Sequence, residues 1–99
     1  MGYSGGMKRK SPKMDVAVYR HLMDAVAAES SPAVLERFFG ELLTPAERCD
    51  IVLRWKLLQR LVRGDSHRMI AKELGISPCK ITRGSRILKD PESVCRKKL

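Results

Sequence analysis

In 99 residues the chain has three cysteines, two histidines and five aromatic side chains, and no uninterrupted apolar run exceeds about five residues. Cys49, Cys79 and Cys95 stand 30 and 16 positions apart with no CxxC, which fits neither a zinc site nor a disulfide framework. Scattered thiols of this kind suit a reducing cytoplasm, where cysteine is expected to behave as a small buried hydrophobe. The short apolar runs exclude a membrane span or a secretory h-region. Also missing are a Ser/His/Asp or Cys/His arrangement, paired carboxylates in an apolar setting and a Gly-rich loop followed by Lys-Ser/Thr, so catalysis is not expected. No β-type alternation is present either.

What the chain does have is positive charge, unevenly placed. Twenty Lys and Arg face 11 Asp and Glu, a formal +9. Residues 1–50 carry 7 basic and 7 acidic side chains, and residues 51–99 carry 13 and 4, so the whole excess lies in the second half. A surplus this local points to a polyanion as partner. Residues 1–13, Gly-rich and then basic at Lys8-Arg9-Lys10, read as a disordered arm, either a non-specific phosphate-binding tail or a solvated terminus. Residues 14–99 are left as a single domain.

All five prolines follow a residue able to cap a helix: Ser11-Pro12, Ser31-Pro32, Thr44-Pro45, Ser77-Pro78 and Asp90-Pro91. Proline suits the first helical turn, and Ser, Thr or Asp before it accepts from an orphan amide, so each pair reads as a helix start. Thr44 with Glu47 three positions later has the form of a capping box. Helical spacing fills the intervals at Val18, Leu22, Ala25 and Val26, at Val34, Leu35, Phe38, Phe39, Leu42 and Leu43, and from Ile51 through Trp55, Leu58 and Leu61 to Gly64. Further helices are expected near 66–74, 78–88 and after Pro91. The fold is therefore expected to be all-α with six helices. Its first three carry more apolar surface than one thin face can hide, which implies burial by a second subunit; an ordinary monomeric core is the alternative.

Residues 67–83 follow the grammar of a helix-turn-helix. Ala71 is small where two helices approach, Gly75 permits a left-handed turn, and Ile81 anchors the second helix beside Ile70, Leu74 and Ile76. Capped by Ser77 and opened by Pro78, that helix presents free amides at its N-terminal end, the end that enters the major groove in this motif. Pro78, Cys79, Lys80 and Thr82 are expected nearest base edges, with Arg68, Lys72 and the Ser77 hydroxyl on phosphates of double-stranded DNA. Pro78 and Cys79 offer apolar contacts, such as a thymine methyl, and little hydrogen-bond discrimination, so sequence reading is expected to be partly indirect.

Three stretches, Leu43-Thr44-Pro45-Ala46-Glu47-Arg48, the segment from Arg54 to Leu61-Val62-Arg63-Gly64, and Ile81-Thr82-Arg83-Gly84-Ser85 with Leu88-Lys89, together resemble the tryptophan repressor family of bacterial regulators. The spacing agrees apart from about one residue fewer near Asp65. The resemblance implies an intertwined helical homodimer, cytoplasmic, with L-tryptophan as corepressor and no metal. Carried over by position, Arg54 and Arg83 would sandwich the indole, Arg83 and Thr44 would hold its carboxylate, and Gly84 would leave room for the ring. Leu43 and the position of Glu41 would offer carbonyls to the ammonium group from the neighbouring subunit. Two departures stand out: Ile87 occupies a position that is usually a small hydroxyl residue, and after Asp90-Pro91 the chain is shorter than the family's closing helix.

The function these readings imply is a transcriptional repressor acting on operators of tryptophan biosynthesis or salvage genes. A different class of reading is a tryptophan-independent helix-turn-helix module, sigma-like, transposase-type or nucleoid-associated. A third, an enzyme acting on an indole compound, predicts turnover of tryptophan.

Overall fold

The computed structural model describes residues 13–99, which form six α-helices and no strand. In chain order these are α1 (Val16–Ala27), α2 (Pro32–Leu42), α3 (Pro45–Arg63), α4 (His67–Leu74), α5 (Pro78–Lys89) and α6 (Val94–Lys98). The basic arm, including Lys8 to Lys10 and the Ser11-Pro12 pair, lies outside the described residues. Among these residues no helix is long and apolar enough to cross a membrane.

Three of the expected helix starts form as the sequence predicts. The Ser31 hydroxyl accepts from the amide of Val34 at 3.4 Å, and that of Ser77 from the amide of Lys80 at 3.4 Å. At Thr44 the capping box closes in both directions: the Glu47 amide donates to Thr44 Oγ1 at 3.2 Å, and the Thr44 amide to Glu47 Oε1 at 2.8 Å. The Thr44 amide, then the Thr44 hydroxyl, hold the Glu47 carboxyl below the usual glutamate range. α3 and α4 end at Gly64 and Gly75, whose φ values of 93° and 64° are left-handed conformations that a Cβ disfavours.

The first helix has a cap of its own, and one expectation is corrected. α1 begins at Val16 with Asp15 as its cap, the carboxylate accepting from the Val18 amide at 3.1 Å. Asp90-Pro91 ends a helix and does not start one. Asp90 closes α5, its amide donating to Ile87 at 3.3 Å, while its carboxylate accepts from the Glu92 amide at 2.9 Å and turns the chain. α6 is then capped by the buried Ser93, whose hydroxyl accepts from the Arg96 amide at 3.1 Å. Proline after a C-cap is as physical as proline after an N-cap, because it cannot continue the helix it follows.

The chain divides into two compact units, residues 1–38 and 39–99. In the first, no residue of α1 is buried, and Val16, Val18, Tyr19, Met23 and Val34 are exposed. The second has a core of Leu57, Ile70, Ile76 and Ile81, with Leu53, Leu61, Ala71 and Leu74 packed against it and Leu58 and Leu88 also buried. Here α5 packs on both α3 and α4, and α6 folds back on α5. Cys49 and Cys79 are exposed and Cys95 is half-buried, so the thiols are not the buried hydrophobes expected. The part of α3 that joins the core begins at Leu53, leaving Cys49 uncovered, and Cys79 lies opposite the anchoring Ile81 on α5.

Candidate nucleic-acid interface

The α4–turn–α5 unit sorts its side chains sharply. Ile70 and Ile81 have 0% and 1% of their surface exposed. Two residues either way along a helix lies nearly opposite, so burying Ile70 turns Arg68 and Lys72 outward and burying Ile81 does the same for Cys79 and Arg83. Arg68, Lys72, Ser77, Pro78, Cys79, Lys80 and Thr82 are all exposed. Arg86, one turn beyond Arg83 and also exposed, extends the outward face of α5; the sequence reading passed over it, though its spacing from Cys79 and Arg83 was there to be read. The Ser77 cap satisfies one of the first α5 amides and Pro78 has none to offer, which leaves a short positively polarised end flanked by Lys80.

The residues assigned to a ligand by resemblance fall on α3, α5 and the turn before α3. Arg54 is exposed on α3, about one turn before the buried Leu57 and Leu58, and Arg83 is exposed beside the buried Gly84 on α5. These helices meet at Gly84. A Cβ there would lie 3.2 Å from Leu61 Cδ1 and 3.3 Å from the Cδ2 atoms of Leu57 and Leu58, so the room at this glycine is taken up by α3 leucines. Gly84 thus has a complete explanation as the close-approach point of two helices. Thr44 is likewise explained as a cap. The Leu43 carbonyl accepts from Arg48 Nη1 at 2.9 Å, and the same nitrogen donates to Gly40 at 2.9 Å, leaving the Leu43 oxygen one further lone pair. Glu41 is exposed on α2. Ile87, half-buried, lines with Arg83, Arg86, Asp90 and Glu92 a hollow of about 650 Å³.

An ion-pair cluster at the junction of α3 and α4 escaped the sequence reading. Arg60 is buried, its Nε donating to Asp65 and its Nη2 donating to Glu73 at 2.7 Å. Arg63 adds Nη2 and Nε bonds to Asp65 at 2.6 and 3.2 Å. The hydrogen bonds from Arg63 and then Arg60 pull the Asp65 carboxyl down to about 2, and both guanidinium groups are raised in turn, chiefly by their bonds to Asp65. Among the described residues no group of three His, Cys, Asp or Glu could hold a metal ion.

The sequence profile of the Trp repressor protein family matches residues 17–99. The chain belongs to that family. Relatives named Trp operon repressor homolog include one from Chlamydia trachomatis serovar D, 38% identical over 61 residues, which are 59% of this chain and 65% of the relative. Another, from Vibrio campbellii, is 39% identical over 65 residues, covering 65% of each chain. A third, from Vibrio parahaemolyticus serotype O3:K6, is 29% identical over 82 residues, 82% of this chain and 80% of that one. The chain thus spans just under two thirds of the length of the first two. No solved structure matches it. The six helices agree with the all-α fold that the Trp repressor resemblance implied.

Proposed function

We propose that the chain is a DNA-binding transcriptional regulator of the Trp repressor type, a cytoplasmic homodimer that uses L-tryptophan as corepressor and serves no enzymatic step. The observation that carries the reading is the α4–α5 unit, in which two isoleucines close the inside and Arg68, Lys72, Lys80 and the polarised start of α5 face out. Pro78, Cys79, Lys80 and Thr82 meet base edges, while Arg68, Lys72 and Ser77 hold phosphates. Residues 14–99 act as one domain behind a basic arm, and the exposed apolar residues of α1 and α2 are covered in the dimer. Helix-turn-helix dimers, the tryptophan repressor among them, set their half-sites about one DNA turn apart, so the operator is expected to be near-palindromic.

In this reading tryptophan is held by Thr44, Arg54 and Arg83, with Leu43 and Gly84 beside it, and gates DNA binding because it favours the arrangement in which both heads fit the groove. A ligand that binds two arrangements equally well shifts nothing. The test is fluorescence anisotropy of a labelled duplex, selected by the protein from a randomised library, with and without L-tryptophan at several salt concentrations. Tighter binding with the ligand is expected, and equal affinity in both arms would leave the tryptophan-independent module as the better reading. Two charged phosphate contacts per subunit, Arg68 and Lys72, imply a slope of log affinity against log salt of roughly −4 in the dimer. A flat salt dependence would remove DNA altogether.

A further inference from the structure

The cluster around Arg60 joins three pieces of chain that must keep a fixed relation if α4 and α5 are to enter a groove together. Arg60 comes from the last turns of α3, Asp65 from the turn and Glu73 from α4. Within the cluster, the pair to Glu73 is the one that reaches the first helix of the proposed DNA-reading unit, at 2.7 Å. The Arg60 side chain is 10% exposed and that of Asp65 15%, against 52% for Glu73, so the arginine is fixed at the base and reaches outward. Below it α4 meets the core through the buried Ile70, with Ala71 and Leu74 packed beside it. A planar guanidinium with carboxylates on two edges adds a directional restraint that non-directional aliphatic packing does not supply.

We infer that Arg60, through Glu73 and Asp65, is a positioning residue that holds α4 on α3 and so biases the reading head towards one orientation on its base. This rests on the DNA-binding reading proposed above. Its consequence is quantitative. The clasp raises the share of molecules already in the competent arrangement without making it complete, so the ligand-free cost of binding DNA falls while tryptophan still has the remaining molecules to shift. Loosening the clasp lowers ligand-free binding and enlarges the stimulation by tryptophan.

The experiment compares the full chain with Arg60→Met, an apolar replacement of similar length, and Glu73→Gln, a change at a side chain that is 52% exposed, with the folded fraction of each followed by circular dichroism. Each is titrated with the selected duplex, with and without saturating L-tryptophan, and hydrogen exchange of the α4 amides is followed in the free protein. Ligand-free affinity is expected to fall roughly two- to thirtyfold in either variant, with a smaller loss when tryptophan is bound and faster exchange confined to α4. In the double variant the Glu73→Gln loss should vanish, since its partner is already gone. The inference is overturned if α4 exchange is unchanged, or if affinity falls equally in both arms in step with the fraction unfolded, the mark of a merely structural pair. A wild-type chain that binds no duplex would sink the DNA reading instead, and α4 exchange would still decide whether the clasp holds.

Discussion

The α3–α5 region and the α1 region solve the same problem differently. Both are built of amphipathic helices with good caps, yet α3 to α5 enclose Leu57, Ile70, Ile76, Ile81 and Leu88 within one chain, while α1 buries no residue and leaves Val16, Val18, Tyr19 and Met23 to solvent. Helix propensity and capping are therefore not what separates them. A region with its own core supplies its stability from within, and a helix without one depends on something else to cover its apolar face. Under the proposed function this division would have a use, since a part that reads DNA would keep its own shape while the helices without a core would be covered by a second subunit.

The sharpest way to test the comparison is to truncate one apolar residue in each region. Ile70→Ala empties a fully enclosed position and should cost about 3 kcal/mol in urea unfolding. Val18→Ala in α1 should stay within about 0.5 kcal/mol if the single chain is the whole story. A larger loss that grows on dilution would show that α1 is buried between subunits. Next in size is Gly84→Val. A β-branched side chain placed 3.2 to 3.3 Å from three leucine methyls cannot be absorbed by one small shift, and a loss of about 2 kcal/mol is expected by the same measurement. If it were neutral, Gly84 would not be the close-approach point of α3 and α5.

The comparison also shows which features a sequence displays. Ser31, Thr44, Ser77, Gly64 and Gly75 could be read directly because a cap is a local event, decided within four residues. The Ile70 and Ile81 anchors, with Ile76 in the turn between their helices, could be read from the helix-turn-helix spacing. Asp90-Pro91 was ambiguous in principle, since the same dipeptide opens or follows a helix, and only the turn through Glu92 to Ser93 resolves it. Arg60 was hidden for another reason. Its partners lie 5 and 13 positions away, at no helical repeat, and meet only because Gly64 reverses the chain. Cys49 and Cys79 show the reverse failure: residue type suggested burial, and the packing of neighbouring helices denied it.

Thr44→Ala separates a cap from a contact. Loss of the hydroxyl opens one arm of the capping box and should cost about 1 kcal/mol. Thr44→Asp keeps a good cap and should leave stability nearly unchanged, yet it places a negative charge where the proposed ligand carboxylate lies. A weaker tryptophan isotherm in calorimetry with an unaltered melting temperature is the expected outcome, whereas unchanged binding would confine Thr44 to capping.

The smallest effect expected is in the pH dependence of the clasp. The Asp65 carboxyl is held at about 2 in the folded chain against an ordinary 3.8, chiefly by the hydrogen bond from Arg63 and then that from Arg60. A lowered folded pKa means that the unfolded chain takes up the proton first. The contribution is therefore fully present above about pH 4 and fades as pH falls through 3.8 towards 2. Urea midpoints of the wild type should drop across that window, and Asp65→Asn should remove that part of the drop while lowering stability at neutral pH. Because Arg60 and Arg63 stay charged throughout, no matching change is expected between pH 5 and 8. If the variant kept the whole acid limb, another carboxylate would be responsible, with Glu47 in the capping box the next to replace, since its carboxyl is also held low.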